Sequence, residues 1–510
     1  MRDYAEEFKD DIKAFQAATS QFYAGEMTVA QYKGISGGFG SYAQRGGKYG
    51  MLRLRLSGGE ITKEHLRFIT ECIEKYSIGR IHFTTCQTVQ FHDLKPDTIC
   101  DLVTDAWRHG IITRGGGGDY PRNVMASPLS GARQDEAFDV MPYAKAAADY
   151  LLGFIHTVKL PRKLKVCFSN DPHDMPHATF RDLGFVAKNN QTFDVYSAGG
   201  LGNNPKMGVC VGQDVSPDKV LFYIKAMVDT FTSYGNYEQR GRARTRYMQD
   251  TLGTEGYAKA FKEKLAAALK QEDITLSITP QETAKTGQGT IAHPRAIKQK
   301  QPGLYAVSYH PVGGCPSPKK LKEIYDAILP MEDVQLRLAP NEGMYIIHCT
   351  AEEAKQLIEL TKDSAATAFE ASVACIGNHI CQVGVRDSQS LLKACVDAVR
   401  PLKFADGVLP KIHISGCPSS CSAHQIGAIG FRGAVKQTPD GPKAAYAMFE
   451  GGCETLGKEQ FGTDVCVMAE EDIPKFFIDL GKRITQDHST YDSWIINHRD
   501  EMLKIAEKYK

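Results

Sequence analysis

Residues 49–94 read YGMLRLRLSGGEITKEHLRFITECIEKYSIGRIHFTTCQTVQFHDL. Leu52, Leu54 and Leu56 alternate with Arg53 and Arg55, the period of a strand with one apolar and one basic face. The stretch predicts strand, helix, strand, and KPDTICDLVTDAWRHG after it predicts a second helix. A matching order and apolar rhythm return over residues 303–364, GLYAVSYHPVGGCPSPKKLKEIYDAILPMEDVQLRLAPNEGMYIIHCTAEEAKQLIELTKDS, so the chain reads as internally duplicated.

Outward from these two units the duplication continues. LKVCFSNDPHD, DLGFVAK and FDVYSAGGLG in the first half parallel PKIHISGCPSS, AIGFRGAVK and AAYAMFEGGC in the second. Each half then reaches an amphipathic helix, PDKVLFYIKAMVDTF or EDIPKFFIDLGKRI. The predicted organisation is an extension over 1–48, a short α/β unit over 49–115, a larger domain over 116–302, a second short unit over 303–370 and a second larger domain over 371–510. Two halves on one plan suggest pseudo-twofold symmetry with a ligand between them. Residues 284–303, AKTGQGTIAHPRAIKQKQPG, read as the linker. Their Gly-x-Gly-x-x-Ala is no dinucleotide fingerprint, because no apolar strand precedes Gly287 and His293-Pro294 falls where a helix would run.

Composition sets the class. The chain has 510 residues, enough for about three domains. Its 61 basic and 60 acidic residues give a net charge of +1, which argues against a general nucleic-acid or membrane-surface binder. The N-terminus, MRDYAEEFKDDIKAF, lacks the apolar core of a secretion signal, and no run reaches the ~18 apolar residues of a membrane span. A cytoplasmic enzyme is expected. Most of the fourteen cysteines are then reduced thiols. Cys72, Cys100, Cys210, Cys349, Cys395 and Cys466 sit in apolar-periodic stretches and are expected to behave as small hydrophobes.

Four others form a pattern: Cys375 and Cys381 in ACIGNHIC, then Cys417 and Cys421 in HISGCPSSCSAHQIGAIGFRG. Pro418 suits a first helical position, which would place Cys417 near a helix N-cap and Cys421 one turn on. A C-x5-C pair is a poor zinc knuckle, whereas an iron–sulfur cluster accepts wide and uneven spacing. By spacing alone a cluster, a zinc site and unrelated buried thiols all remain open.

The quartet resembles the signature of the sulfite and nitrite reductases that couple a [4Fe-4S] cluster to siroheme. The likeness runs over roughly residues 40–500. It implies Cys375, Cys381, Cys417 and Cys421 as cluster ligands, with Cys421 also on the siroheme iron. Arg53 in LRLRL, Arg122 in YPRNV, and Lys163 and Lys165 in PRKLK match the positions that hold the substrate anion in that family. Such cations would bind and orient an oxyanion, and the lysines would deliver protons. Gln90 and His92 in QTVQFHD, Arg162, Gly199 and Gly200 in SAGGLG, and Arg240, Arg244 and Arg246 in the helix-like run GNYEQRGRARTRY match siroheme-contacting segments. Two residues depart from the family pattern: Ser419 stands where asparagine is usual, and Cys86 where arginine is.

The implied fold is α/β (α+β) and internally duplicated. The two short units pair into a ferredoxin-like central domain, and two larger α/β domains surround a shared cofactor site. The implied function is six-electron reduction of sulfite to sulfide, with nitrite to ammonia as the alternative on the same cofactors. Lys165 favours sulfite, because nitrite-specialised members tend to carry asparagine there and a dianion gains more from a fourth cation. ACIGNHIC and IGFRG pull toward the ferredoxin-dependent nitrite type. No flavin or nicotinamide motif is present, so electrons are expected from a separate donor, a ferredoxin or a flavoprotein subunit. No nucleic-acid or membrane partner is expected. The reading from a different class is a binding protein with a structural iron–sulfur or zinc centre.

Overall fold

Leu52, Leu54 and Leu56 are buried to within 2% of complete exclusion from solvent, and Arg53 faces the other way, as the alternation requires. In the computed structural model, which describes residues 4–279, 282–439 and 441–510, this strand (Gly50–Leu54) lies inside an antiparallel sheet. The sheet runs Ser41–Ala43, Gly50–Leu54, Val89–Leu94, Arg80–Phe83. What reads in sequence as one strand, RIHFTTCQTVQFHDL, is therefore a hairpin. Thr84 and Thr88 join hydroxyls at 2.6 Å, and Gln87 takes a positive φ of 53° to close the turn. The helices Lys63–Lys75 and Pro96–Arg108 follow as expected.

The second short unit repeats this order with Leu304–Tyr309, Pro318–Ile328, Gln335–Leu338, Met344–Thr350 and Ala351–Leu360. The two units share one hydrophobic core, in which Leu54, Phe91 and Ile69 meet Val307, Leu336 and Ile324. They also share a sheet: Glu60–Ile61 of the first unit pairs with Leu336 and Arg337 at the edge of the second. This is the paired central architecture expected from the resemblance.

Each larger region carries a five-stranded mixed sheet of one topology. Met125–Ala126, Val166–Ser169 and Leu183–Lys188 run parallel, and Thr192–Ser197 and Val209–Val215 add antiparallel. Val373–Ala374, Ile412–Ser415, Ile429–Thr438, Gly441–Glu450 and Thr463–Ala469 repeat that order. Each sheet packs on its own helices around a separate core. The duplication reaches single atoms. Gln87 and Glu342, both with positive φ, sit in equivalent turns; Gln87 Oε1 accepts from Ala126 N and Glu342 Oε2 from Ala374 N, each at 2.9 Å.

Four sequence expectations change. Part of the supposed linker is a strand, Ala296–Lys298, paired with Leu304–Tyr309. Cys210 is exposed, because the two-residue period of the edge strand Val209–Val215 turns it to solvent. Residues 235–247 form no α-helix but two 3₁₀ turns, Arg240–Arg242 and Thr245–Tyr247, separated by extended Arg244. No helix follows Cys417 either. Ser420 and Ala423 take φ of 51° and 56°, which a helix does not admit, so the argument from a helix dipole at Cys417 falls. Among the described residues no helix is long and apolar enough to cross a membrane.

Candidate active site

The loop after Ile412–Ser415 is shaped by a glycine. A Cβ on Gly430 would run into the carbonyl oxygen of His424, so the neighbouring strand can lie against this loop only with glycine there. The loop carries Cys417 and Cys421, and Cys375 reaches it from the end of Val373–Ala374, where Gly416 N donates to its Sγ at 3.2 Å. Burial pushes the Cys375 thiol up to about 12, with the Cys421 charge adding to it. Cys421 is likewise raised by burial, then opposed by Lys163, with Cys417 and Cys381 reinforcing the rise. Cys421 thus has Cys375, Cys381 and Cys417 as electrostatic neighbours. Among the described residues no three His, Cys, Asp or Glu side chains close on a single metal ion.

Beside this loop opens a cavity at the meeting of the central domain and both larger ones. Of the four cysteines, Cys421 is on its wall. The wall also carries Lys163, Lys165, Arg181, Arg244 and Lys411 against two carboxylates, Asp182 and Glu454. Both carboxylates are already engaged. Asp182 takes Arg244 Nη2 at 3.0 Å on each oxygen, and Glu454 takes Lys411 Nζ at 2.9 Å and His177 Nε2 at 2.8 Å. Lys163 is left short of counter-charge: burial, then Arg244, Lys165 and Arg122 hold its ammonium well below its ordinary value. Among the described residues, the buried Arg244 Nε on the wall and Arg246 Nη1 behind it have no hydrogen-bond partner. A cavity with surplus cations and unsatisfied guanidinium donors fits a polyanionic group, as a siroheme with its carboxylates is.

Arg53 and Arg122 lie next to this wall. Both guanidiniums donate to the Gly116 carbonyl, each at 2.6 Å. The glycine run brings them there: a Cβ on Gly117 would strike Gly37 O and the Tyr42 hydroxyl, and Gly118 N donates to Tyr42 Oη at 2.7 Å. Burial lowers the Arg122 guanidinium to about 10; Tyr42 opposes the shift and Arg53 and Arg244 deepen it. Arg53, Arg122, Lys163, Arg244 and Lys165 are thus one continuous field of positive charge, although the sequence spreads them over almost two hundred residues.

The remaining predicted residues are placed less uniformly. Turning the Gln90 amide over lets its oxygen accept from Arg53 Nε at 3.0 Å and Nη2 at 2.5 Å and its nitrogen donate to His92 Nε2 at 3.3 Å. Gln90 and His92 are buried on the Arg53 face of the sheet and do not line the cavity. Arg162 and Arg240 share Asp119, each with a contact of 2.6 Å. Arg246 holds the glycine-rich loop by donating to Asn203 O and Asn204 O at 3.1 and 2.9 Å through Nε. Gly200 lines the cavity, whereas Gly199 is packed against the backbone of Arg181, Thr179 and Gly208.

Sequence reading missed Arg181, Lys411, His177, His413 and Glu454, all on the wall. For Lys411 a signal exists: in the parallel of LKV with PKI it is the counterpart of Lys165. The others carry no spacing that distinguishes them from surface polar residues.

Residues 42–105 match the nitrite/sulfite reductase ferredoxin-like half domain, and residues 117–269 match the nitrite and sulphite reductase 4Fe-4S domain. The four cysteines lie outside both stretches, in the region that repeats the topology of 117–269. A sulfite reductase [ferredoxin] 1 of Mycolicibacterium paratuberculosis is 24% identical over 90% of this chain and 84% of its own length. A chloroplastic ferredoxin–nitrite reductase of Spinacia oleracea is also 24% identical, over 81% of this chain and 72% of its own. The solved structure of the Mycobacterium tuberculosis NirA protein shares the fold, with a TM-score of 0.78, 22% identity and coverage of 95% of this chain and 94% of that one.

Proposed function

We propose that the chain is a reductase of the nitrite and sulfite type, like the families whose models match residues 42–105 and 117–269, and that it reduces sulfite to sulfide by six electrons at a siroheme coupled to a [4Fe-4S] cluster. One observation carries the reading: Cys421, among its fellow thiols, opens onto a cavity whose wall is crowded with cations. When bound, the cofactors supply single electrons to the anion from a separate donor. Relatives are named for both ferredoxin and an NADPH hemoprotein component, so either donor class suits the reading.

Cys375, Cys381, Cys417 and Cys421 would hold the cluster. Arg162, Arg240, Arg244, Arg246, Gln90 and His92 would take the siroheme carboxylates or orient their partners, and Gly199 and Gly200 would let the loop approach the ring. Arg53, Arg122, Lys163 and Lys165 would bind the substrate anion and orient it. In a cavity poor in water, fixed guanidinium and ammonium groups stabilise charge without reorganising. Lys163, whose proton burial makes easier to give up, would protonate departing oxygen.

Nitrite is the second reading, favoured by the contact between Cys86 and Lys165 developed below. The test is a visible spectrum of the purified holoprotein together with steady-state rates on both anions under one donor. Siroheme absorption coupled to iron–sulfur content is expected, with both lost in Cys421→Ser. A colourless, iron-free protein, or an unchanged spectrum in Cys421→Ser, overturns the assignment.

A further inference from the structure

Cys86 lies in the hairpin turn between Arg80–Phe83 and Val89–Leu94. The turn is pinned: Cys86 N donates to Thr84 Oγ1 at 3.3 Å, and Asn123 Nδ2 donates to Cys86 O at 3.0 Å. Its sulfur is therefore held in place, and Lys165 Nζ donates to it at 3.2 Å. Burial alone would raise the thiol. Lys165, Arg181 and Arg53 together outweigh burial and bring it down to about 6. The contact sets the Lys165 nitrogen against a thiol whose proton these cations make easier to lose, inside the field of cations that faces the cavity.

The attraction between an anion and a fixed cation scales with the product of their charges. Cancelling one ammonium therefore removes more attraction from a doubly charged anion than from a singly charged one. We propose that Cys86 determines substrate preference by acting through Lys165: its sulfur occupies the ammonium and tilts the anion site from sulfite toward nitrite. This rests on the reductase reading above. Cys86 needs no contact with substrate, so it is a positioning residue. Packing is the competing role, since Cys86 also lies against Met125, Cys167, Ala178 and Val186.

The experiment compares wild type with Cys86→Ala, Cys86→Ser and Cys86→Asp, each as holoprotein with its cofactor spectrum recorded, on sulfite and nitrite under one donor. The readout is the sulfite-to-nitrite ratio of kcat/KM. In the Ala and Ser variants the ratio should rise about fivefold or more, because Lys165 is released toward the anion. In Cys86→Asp, which restores a negative charge at similar size, it should return to within about twofold of wild type. Packing alone does not separate Asp from Ser in this direction. A ratio unmoved in all three variants, or an Asp variant that behaves like Ala, overturns the proposal while leaving the reductase reading intact. A wild-type holoprotein that reduces neither anion overturns both.

Discussion

Lys165 sits in two electrostatic relations at once. Burial lowers its ammonium, Cys86 opposes that, and Arg181 and Arg244 add to the lowering. As a fourth cation at the anion site it should matter more to a dianion than to a monoanion. Lys165→Asn is expected to lower kcat/KM for sulfite more than for nitrite, and most steeply in a Cys86→Ala background where the ammonium is released toward the anion, measured under one donor. Equal losses would remove charge as the basis of substrate choice. Lys163 and Lys165 are legible in sequence only through the family resemblance, because the alternation in PRKLK by itself also describes a solvent-exposed strand face. The Cys86–Lys165 contact is not, since seventy-odd residues separate its partners and only the packing of the hairpin turn against the first larger domain joins them.

At the scale of elements, the cysteine loop has a twin. After Val166–Ser169, Asp174 and His177 take positive φ at the same spacing as Ser420 and Ala423, and a Cβ on Gly184 would strike Ala178 O as one on Gly430 would strike His424 O. In the twin, Ser127 Oγ accepts from Asn170 N at 3.1 Å, where Cys375 Sγ accepts from Gly416 N. The fold thus already accommodates serine at the position of Cys375. Cys375→Ser should cost about 1 kcal/mol or less of loop stability while removing a cluster ligand. The expected result is a protein with nearly wild-type circular dichroism and a collapsed iron–sulfur content; full cluster occupancy would show that the quartet is wrong. The spacing of the cysteines was visible from sequence, but the loop's conformation was misread. Pro418 suggested a helix, whereas Ser420 and Ala423, both in the left-handed region, make a turn.

Over the whole molecule, one buried side chain ties two cores. Gln87, fully excluded from solvent, donates through Nε2 to Gly58 O at 3.2 Å, Ala126 O at 2.9 Å and Leu338 O at 2.6 Å, and accepts from Ala126 N. Truncation leaves those backbone groups buried without partners. Gln87→Ala should destabilise the protein by about 3 kcal/mol in denaturant unfolding and loosen the cavity that the joined domains enclose. A loss under ~0.5 kcal/mol would show that the domains are held by apolar contact alone. The sequence by itself determined the duplicated α/β plan, because periodicity is a local property of the chain, whereas the thiol quartet and the four basic positions followed only from the family resemblance. Only the tertiary structure decided that Cys421 alone of its quartet faces the cavity, that Arg181 and Lys411 join its wall, and that Cys86 holds Lys165. Those facts depend on charges brought together by the docking of separate cores, and Coulomb interactions follow distance in space rather than position along the chain.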